Sequence, residues 1–130
     1  NSTHLNVAAS ITPMERVKME GLFHALIDGG SISHIWLGDT CPTPESMAEF
    51  IVRAFRETKN NQVVFSPSFT TCNSCGRTSR GMKEDCPFCH GTDVEGIARI
   101  SQYFSRVPGW NTGKIAELRD RKLHETLLEK

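Results

Sequence analysis

The stretch "CNSCGRTSRGMKEDCPFCH", residues 72–90, carries two Cys-x-x-Cys pairs separated by ten residues. In such a turn both sulfurs can point to one metal while nearby backbone amides face the thiolates. Gly76 follows the first pair, where a left-handed residue is often needed, and Pro87 stiffens the second. Four thiolates around one ion suit tetrahedral zinc at a closed, structural site. Cys72, Cys75, Cys86 and Cys89 are therefore read as ligands of one structural Zn2+ in a zinc ribbon over residues 69–92. The competing readings are a redox dithiol pair and free core cysteines. A redox Cys-x-x-Cys more naturally occurs once, at the start of a helix. His90 follows Cys89 directly and can replace one cysteine as ligand, although a surface role suits it better. A catalytic zinc would need an open coordination position and a nearby base, and nothing in the segment has that pattern.

Upstream of the knuckles the periodicity alternates between helix and strand. "SITPMERVKMEGL" has Thr12 as a cap and Pro13 at the first helical position. Ile11, Met14, Val17 and Met19 form a rough apolar face, and Gly21 is expected to end the helix. After the Gly29-Gly30 turn, residues 32–37 read as a strand with Ile32, His34 and Trp36 on one face. Thr43 and Pro44 repeat the cap chemistry, and Met47, Phe50, Ile51, Ala54 and Phe55 recur at helical spacing. "NQVVFSPSF" reads as a short buried strand ended by Pro67.

Downstream, "TDVEGIARISQYF" reads as extended, "SRVPGWNTGK" as turn-like, and "GKIAELRDRKLHETLLEK" as a final helix. Ile115, Leu118, Leu123 and Leu127 supply that helix's apolar side. The expected fold is α+β. A small α/β piece (helix-strand-helix-strand) over residues 1–68 precedes the ribbon at 69–92, and an extended loop and C-terminal helix fill 93–130.

Composition narrows the function. With 130 residues, 38% hydrophobic and 23% charged, the chain suits a globular protein of modest core. No apolar run approaches the roughly 20 residues that span a bilayer, so no membrane role is expected. There is no basic start followed by an apolar stretch, so no signal peptide is expected. A first residue of Asn1 suits a processed product or the end of a longer chain. Five cysteines, four at metal spacing, argue for a reducing, cytoplasmic setting rather than a disulfide framework. Fifteen basic and fifteen acidic residues give no net field to gather phosphates. Arg77, Arg80 and Lys83 leave a local basic patch, which keeps a zinc-ribbon nucleic-acid module as a weaker alternative. His4, His24, His34 and His124 share no spacing and are read as packed or solvated, and Cys41 as a small buried residue.

The segment "ARISQYFSRVPGWNTGKIAELRDR" resembles the C-terminal end of anaerobic (class III) ribonucleoside-triphosphate reductases, which are glycyl radical enzymes. Those ends resemble two Cys-x-x-Cys pairs, then R-V/I-x-G-Y, then W-N-x-G-K and an E-x-x-x-R-type helix. The counterparts here are the four cysteines, Arg99 to Tyr103, Trp110 to Lys114, and Glu117 to Arg121. "NST", "GLFHALIDGGSISHIWLGD" and "FSPSFTTC" are similar to the family's approach to its zinc site. The resemblance implies that residues 1–68 correspond to the end of the reductase barrel. It implies that zinc fixes the base of residues 97–107, a segment the family inserts into the barrel beside the substrate. The implied partners are the remainder of the barrel or a reductase subunit, and a radical-generating iron–sulfur activase. One position departs from the pattern: where the family stores its radical on a glycine, this chain has Gln102. A side chain there is expected to block radical storage, and Gly109 belongs to the neighbouring motif. The resembling catalytic cysteine and substrate pocket lie upstream, and Cys41 does not match them by position. The chain is thus expected to be inactive alone, as part or subunit of a reductase, or as a silent paralogue in regulation or assembly.

Overall fold

The computed structural model describes residues 5–128. The elements run α1 (Pro13–His24), β1 (Ser33–Gly38), α2 (Pro44–Glu57), β2 (Val63–Pro67), β3 (Phe69–Cys72), β4 (Thr78–Arg80), β5 (Val94–Arg99), β6 (Phe104–Arg106), a 3-10 turn (Val107–Gly109) and α3 (Thr112–Asp120). The expected mixed fold is what is found, with α1-β1-α2-β2 in the anticipated order. Among the described residues no helix is long and apolar enough to cross a membrane. The chain divides into two compact units. One comprises the chain up to Trp36, Cys41–Phe65 and the chain from Arg121 onward; the other comprises Leu37–Thr40 and Ser66–Asp120.

In the first unit both helix starts follow their cap chemistry. Thr12 Oγ1 accepts the Glu15 N–H, and the Glu15 carboxylate accepts the Thr12 N–H, closing a capping box. Thr43 Oγ1 likewise accepts the Ser46 N–H. Gly21 does not end α1. The helix continues to His24, and Gly21 lets the backbone of Asn60 approach: a Cβ there would lie 2.6 Å from Asn60 N. Of the expected α1 face only Val17 is buried, and Met19 is 44% exposed. In α2 Phe50 and Ala54 are buried, whereas Ile51 and Phe55 are exposed, so the core face is narrower than the spacing implied. Phe50 meets Phe65 of β2 with ring centroids 5.8 Å apart. The six residues of β1 are all buried, so both sides of this strand are covered.

The final helix is shorter than expected. It stops at Asp120, and residues 121–128 continue without helical structure. Tertiary contacts replace helical ones there. Lys122 N–H donates to Val7 C=O at 2.7 Å, and His124 N–H donates to Trp36 C=O at 2.9 Å. The Arg121 guanidinium lies 3.9 Å over the Trp36 ring, whose plane also stacks on His34. Leu127 is buried as anticipated, but Leu123 is 50% exposed.

His124 makes a testable consequence of this strap. Burial, together with the charges of Arg16 and Lys122, lowers its pKa to about 4. Its Nε2 has no hydrogen-bond partner among the described residues. Below the ordinary histidine value of about 6.5 the unfolded chain takes up a proton that the folded chain resists until about pH 4. Stability is therefore expected to fall as pH drops through that window. His124→Gln should flatten the difference, as read from melting midpoints of the two proteins between pH 7 and 4.

In the second unit a four-stranded antiparallel sheet has the order β4-β3-β5-β6. Strands β3, β4 and β6 were not anticipated as separate elements; β6 straddles the end of the stretch read as extended and the start of the one read as turn-like. The sheet rests on very little apolar matter. Its buried hydrophobic residues are Leu37, Cys72, Cys86, Ala98 and Trp110.

Candidate metal centre and its hairpin

The four cysteines converge as their spacing predicts. Their Sγ atoms all lie within 4.8 Å of one another. Cys72 Sγ is 3.6 Å from Cys89 Sγ, and Cys75 Sγ is 3.6 Å from Cys86 Sγ. Tetrahedral zinc with ~2.3 Å bonds sets neighbouring sulfurs about 3.8 Å apart, so the donor set fits that ion in size and chemistry. Cys72 closes β3, which fixes the first knuckle to the sheet.

The two knuckles are built alike. Gly76 N–H donates to Cys72 C=O at 3.0 Å, and His90 N–H donates to Cys86 C=O at 2.9 Å. Both residues are left-handed, with φ of 71° at Gly76 and 58° at His90. Gly76 thus has its anticipated conformation. His90 is the second knuckle's counterpart of Gly76, and the converging donor set consists of the four cysteines. An L-residue at such φ is strained unless its surroundings hold it.

Backbone amides prepare the thiols for a cation. The Cys75 amide foremost, aided by Ser74, lowers the Cys72 pKa to about 7. Burial opposes ionisation of Cys86, yet the Cys89 and Phe88 amides bring its pKa below the usual thiol value. The Gly91 amide favours a Cys89 thiolate, but the neighbouring Cys72 sulfur, burial and the other two cysteines push its pKa up to about 12. Cys72 and Cys86 are thus eased toward the thiolate, whereas a Cys89 thiolate needs a cation among the sulfurs.

Beyond the knuckles, β5 and β6 form a hairpin closed by residues 100–103, with Arg99 opposite Phe104 and Ile97 opposite Arg106. Gln102 is exposed in that closing loop. The Arg99 Nη1 donates to the Gln102 carbonyl, and the guanidinium lies 4.4 Å over the Phe104 ring. A second set of contacts starts in the first knuckle. Asn73 Nδ2 donates to Asp93 Oδ1 at 3.0 Å and to Glu95 Oε1 at 3.3 Å. Glu95 in turn pairs with Arg106 on β6. The Arg106 guanidinium, then the Asn73 amide, hold the Glu95 carboxyl below its usual pKa. Asn73, Glu95 and Arg106 carry no sequence signature, because their pairing depends on sheet register.

The remaining candidates do not join this centre. Cys41 is exposed, not buried. His24 and His34 are packed in the first unit, as is His124, and His4 lies outside the described residues. His24 Nδ1 accepts the Asn61 N–H at 3.1 Å, which leaves its Nε2 facing Ser33 Oγ at 3.4 Å. Gly109 has open space around it and no left-handed backbone.

Fold and site together define a protein of mixed helix and sheet whose four-stranded antiparallel sheet carries a four-cysteine ribbon and the β5–β6 hairpin. Residues 1–124 match the family of anaerobic ribonucleoside-triphosphate reductases, and the chain belongs to that family. It is similar to the anaerobic ribonucleoside-triphosphate reductase of Enterobacteria phage T4, with 27% identity over 137 residues, covering 96% of this chain and 22% of that one. Its fold is similar to a solved anaerobic ribonucleotide reductase, with a TM-score of 0.74 at 22% identity over 95% of this chain and 19% of the other. The anaerobic ribonucleotide reductase of Thermotoga maritima, crystallised with MES in the active site, matches 74% of this chain and 15% of its own length at 26% identity and a TM-score of 0.56. The chain therefore spans about a fifth of the length of the curated relative it matches.

Proposed function

We propose that this chain is the C-terminal part, or a C-terminal subunit, of an anaerobic ribonucleoside-triphosphate reductase that makes deoxyribonucleotides in a reducing cytoplasm. In this reading Cys72, Cys75, Cys86 and Cys89 hold zinc, which fixes the base of residues 97–107. The observation that carries the reading is the contact chain from Asn73 in the first knuckle, through Glu95 on β5, to Arg106 on β6. Through it, any order imposed on the cysteines extends to both strands of the hairpin. When bound, zinc supplies a closed centre that neutralises thiolate charge and offers no open position to a substrate. Backbone pairing with β5 sets the register of β6, Glu95 adds a side-chain link from Asn73 to Arg106, and Arg99 bonds the closing loop at the Gln102 carbonyl.

The division of labour follows three parts. Residues 1–68 serve as the end of the barrel, 69–92 as the staple, and 93–130 as the loop-bearing segment with its helix. The rest of the barrel, the nucleotide substrate and the activase come from outside these residues. Gln102 stands where the family stores its radical. A glycyl radical needs a flattened, bare Cα, and the glutamine side chain obstructs both that geometry and the approach of a cysteine sulfur. Gln102 also favours a second reading, a catalytically silent paralogue that docks on a reductase for regulation or assembly. A nucleic-acid role fits less well: Arg77 and Arg80 lie over the chain's own Phe88 and Phe69 rings, at 5.1 and 6.0 Å.

Electron paramagnetic resonance tests the reading. With a matching activase, S-adenosylmethionine and a reductant, and without oxygen, the unmodified protein is expected to show no glycyl doublet. Gln102→Gly is expected to restore one when the barrel is present to position the loop. A doublet from the unmodified chain, or oxygen-induced cleavage at Gly109, overturns the assignment.

A further inference from the structure

Helix α1 buries three ionisable residues beside Val17 and exposes much of its apolar matter. Its buried residues include Arg16, Glu20 and His24, each 1% exposed. Met19, Leu22 and Phe23, and Leu26 just beyond the helix, are 44, 58, 50 and 77% exposed. Their spacing of i, i+3, i+4 and i+7 makes one helical stripe. Single exposed hydrophobic residues are ordinary on a protein surface. A complete apolar stripe opposite a charged one is not, because a helix bordered by water carries the reverse polarity.

The charged face has its occupants. Arg16 pairs with Glu20 at 3.1 Å and donates to the carbonyls of Leu5 and Asn6, while Glu20 accepts the Leu5 N–H. Ser33 and Asn61 meet His24. Among the described residues the apolar stripe has no such cover. Helix α2, whose buried residues Phe50 and Ala54 are apolar, also exposes Ile51, Val52 and Phe55 by 37, 47 and 48%.

We propose that Met19, Leu22, Phe23 and Leu26 form a docking face for an apolar surface of the reductase polypeptide lying outside these 130 residues. The proposal rests on the family reading above. Its further support is length: this chain accounts for 22% of the phage relative and 19% of a solved relative with the same fold, so about four-fifths of such a protein lies beyond it. A face that must meet polypeptide can remain apolar, while the buried Arg16–Glu20 pair ties down the chain's own residues 5 and 6.

Photo-crosslinking in the protein as its source cells make it tests this. p-Benzoylphenylalanine replaces Phe23 in one sample and Tyr103, at the hairpin loop, in another. Crosslinked peptides are identified by mass spectrometry after irradiation of anaerobically grown cells. The expected result is that position 23 links to reductase peptides outside residues 1–130. With the probe at Leu26 instead, Leu22→Glu with Phe23→Glu is expected to lower the yield about tenfold. Links from position 23 to a second copy of residues 1–130, to an unrelated protein, or to nothing overturn the docking face. If position 103 links to the reductase and position 23 does not, the docking face fails and the family reading stands. If neither links, both fail.

Discussion

Removing the metal is expected to unfold the ribbon and its hairpin. Structural zinc sites of small domains contribute an apparent ~10–16 kcal/mol at neutral pH, while a whole domain is stable by only about 5–15 kcal/mol. The second unit has little to set against that loss. Two of its five buried hydrophobic residues, Cys72 and Cys86, belong to the four-cysteine cluster itself, and Ala98 is small. Four thiols gathered within 4.8 Å of one another also have no partner but each other once the cation is gone. Elemental analysis of protein purified under reducing conditions should find about one zinc per chain. Chelation, Cys72→Ser or Cys89→Ser should then collapse amide protection across β3, β5 and β6, as followed by hydrogen exchange. Metal-free protein with unchanged protection would show that the cysteines are not a staple.

Phe50→Ala is expected to destabilise the first unit by about 3–5 kcal/mol, the usual cost of deleting a buried ring. The ring is fully buried and meets Phe65 across 5.8 Å. Its neighbours at this contact come from separate elements, so the cavity cannot close by a single rotamer change. Phe55→Ala is the internal control. Phe55 is 48% exposed, so its truncation should cost much less. Chemical denaturation of the two variants beside the parent separates them. Equal midpoints for all three would place Phe50 outside the core.

The contrast between Phe50 and Phe55 shows where sequence periodicity runs out. Helical spacing places Met47, Phe50, Ile51, Ala54 and Phe55 on one broad face, but it does not say how much of that face is covered. Only the packed structure distinguishes the buried Phe50 from the exposed Phe55. The same holds for α1: its apolar residues looked like a core face, yet only Val17 of that face is buried, alongside Arg16, Glu20 and His24. Arg16 and Glu20 are tolerable inside because they pair with each other across one helical turn and bond the backbone of residues 5 and 6, and only the latter contacts lack a local signal. Lone-residue readings were weaker still: Cys41 is a small residue that suited burial and is exposed.

What the sequence determined by itself is the chemistry written in short spacing. Thr12-Pro13 and Thr43-Pro44 start helices because a cap bonds a backbone amide only three residues away. The two Cys-x-x-Cys turns aim sulfurs at one point because each turn is local, and Gly76 turns left-handed for the same reason. Tertiary structure alone decided the events that couple distant residues. Gly21 stays inside α1 because Asn60 packs against it, and residues 121–128 leave the helix because Val7 and Trp36 take their hydrogen bonds. The Asn73–Glu95–Arg106 contacts exist only once β3, β5 and β6 are in register. A local bond needs only the residues that flank it, whereas these contacts join residues that share no sequence neighbourhood and meet only after the chain has folded.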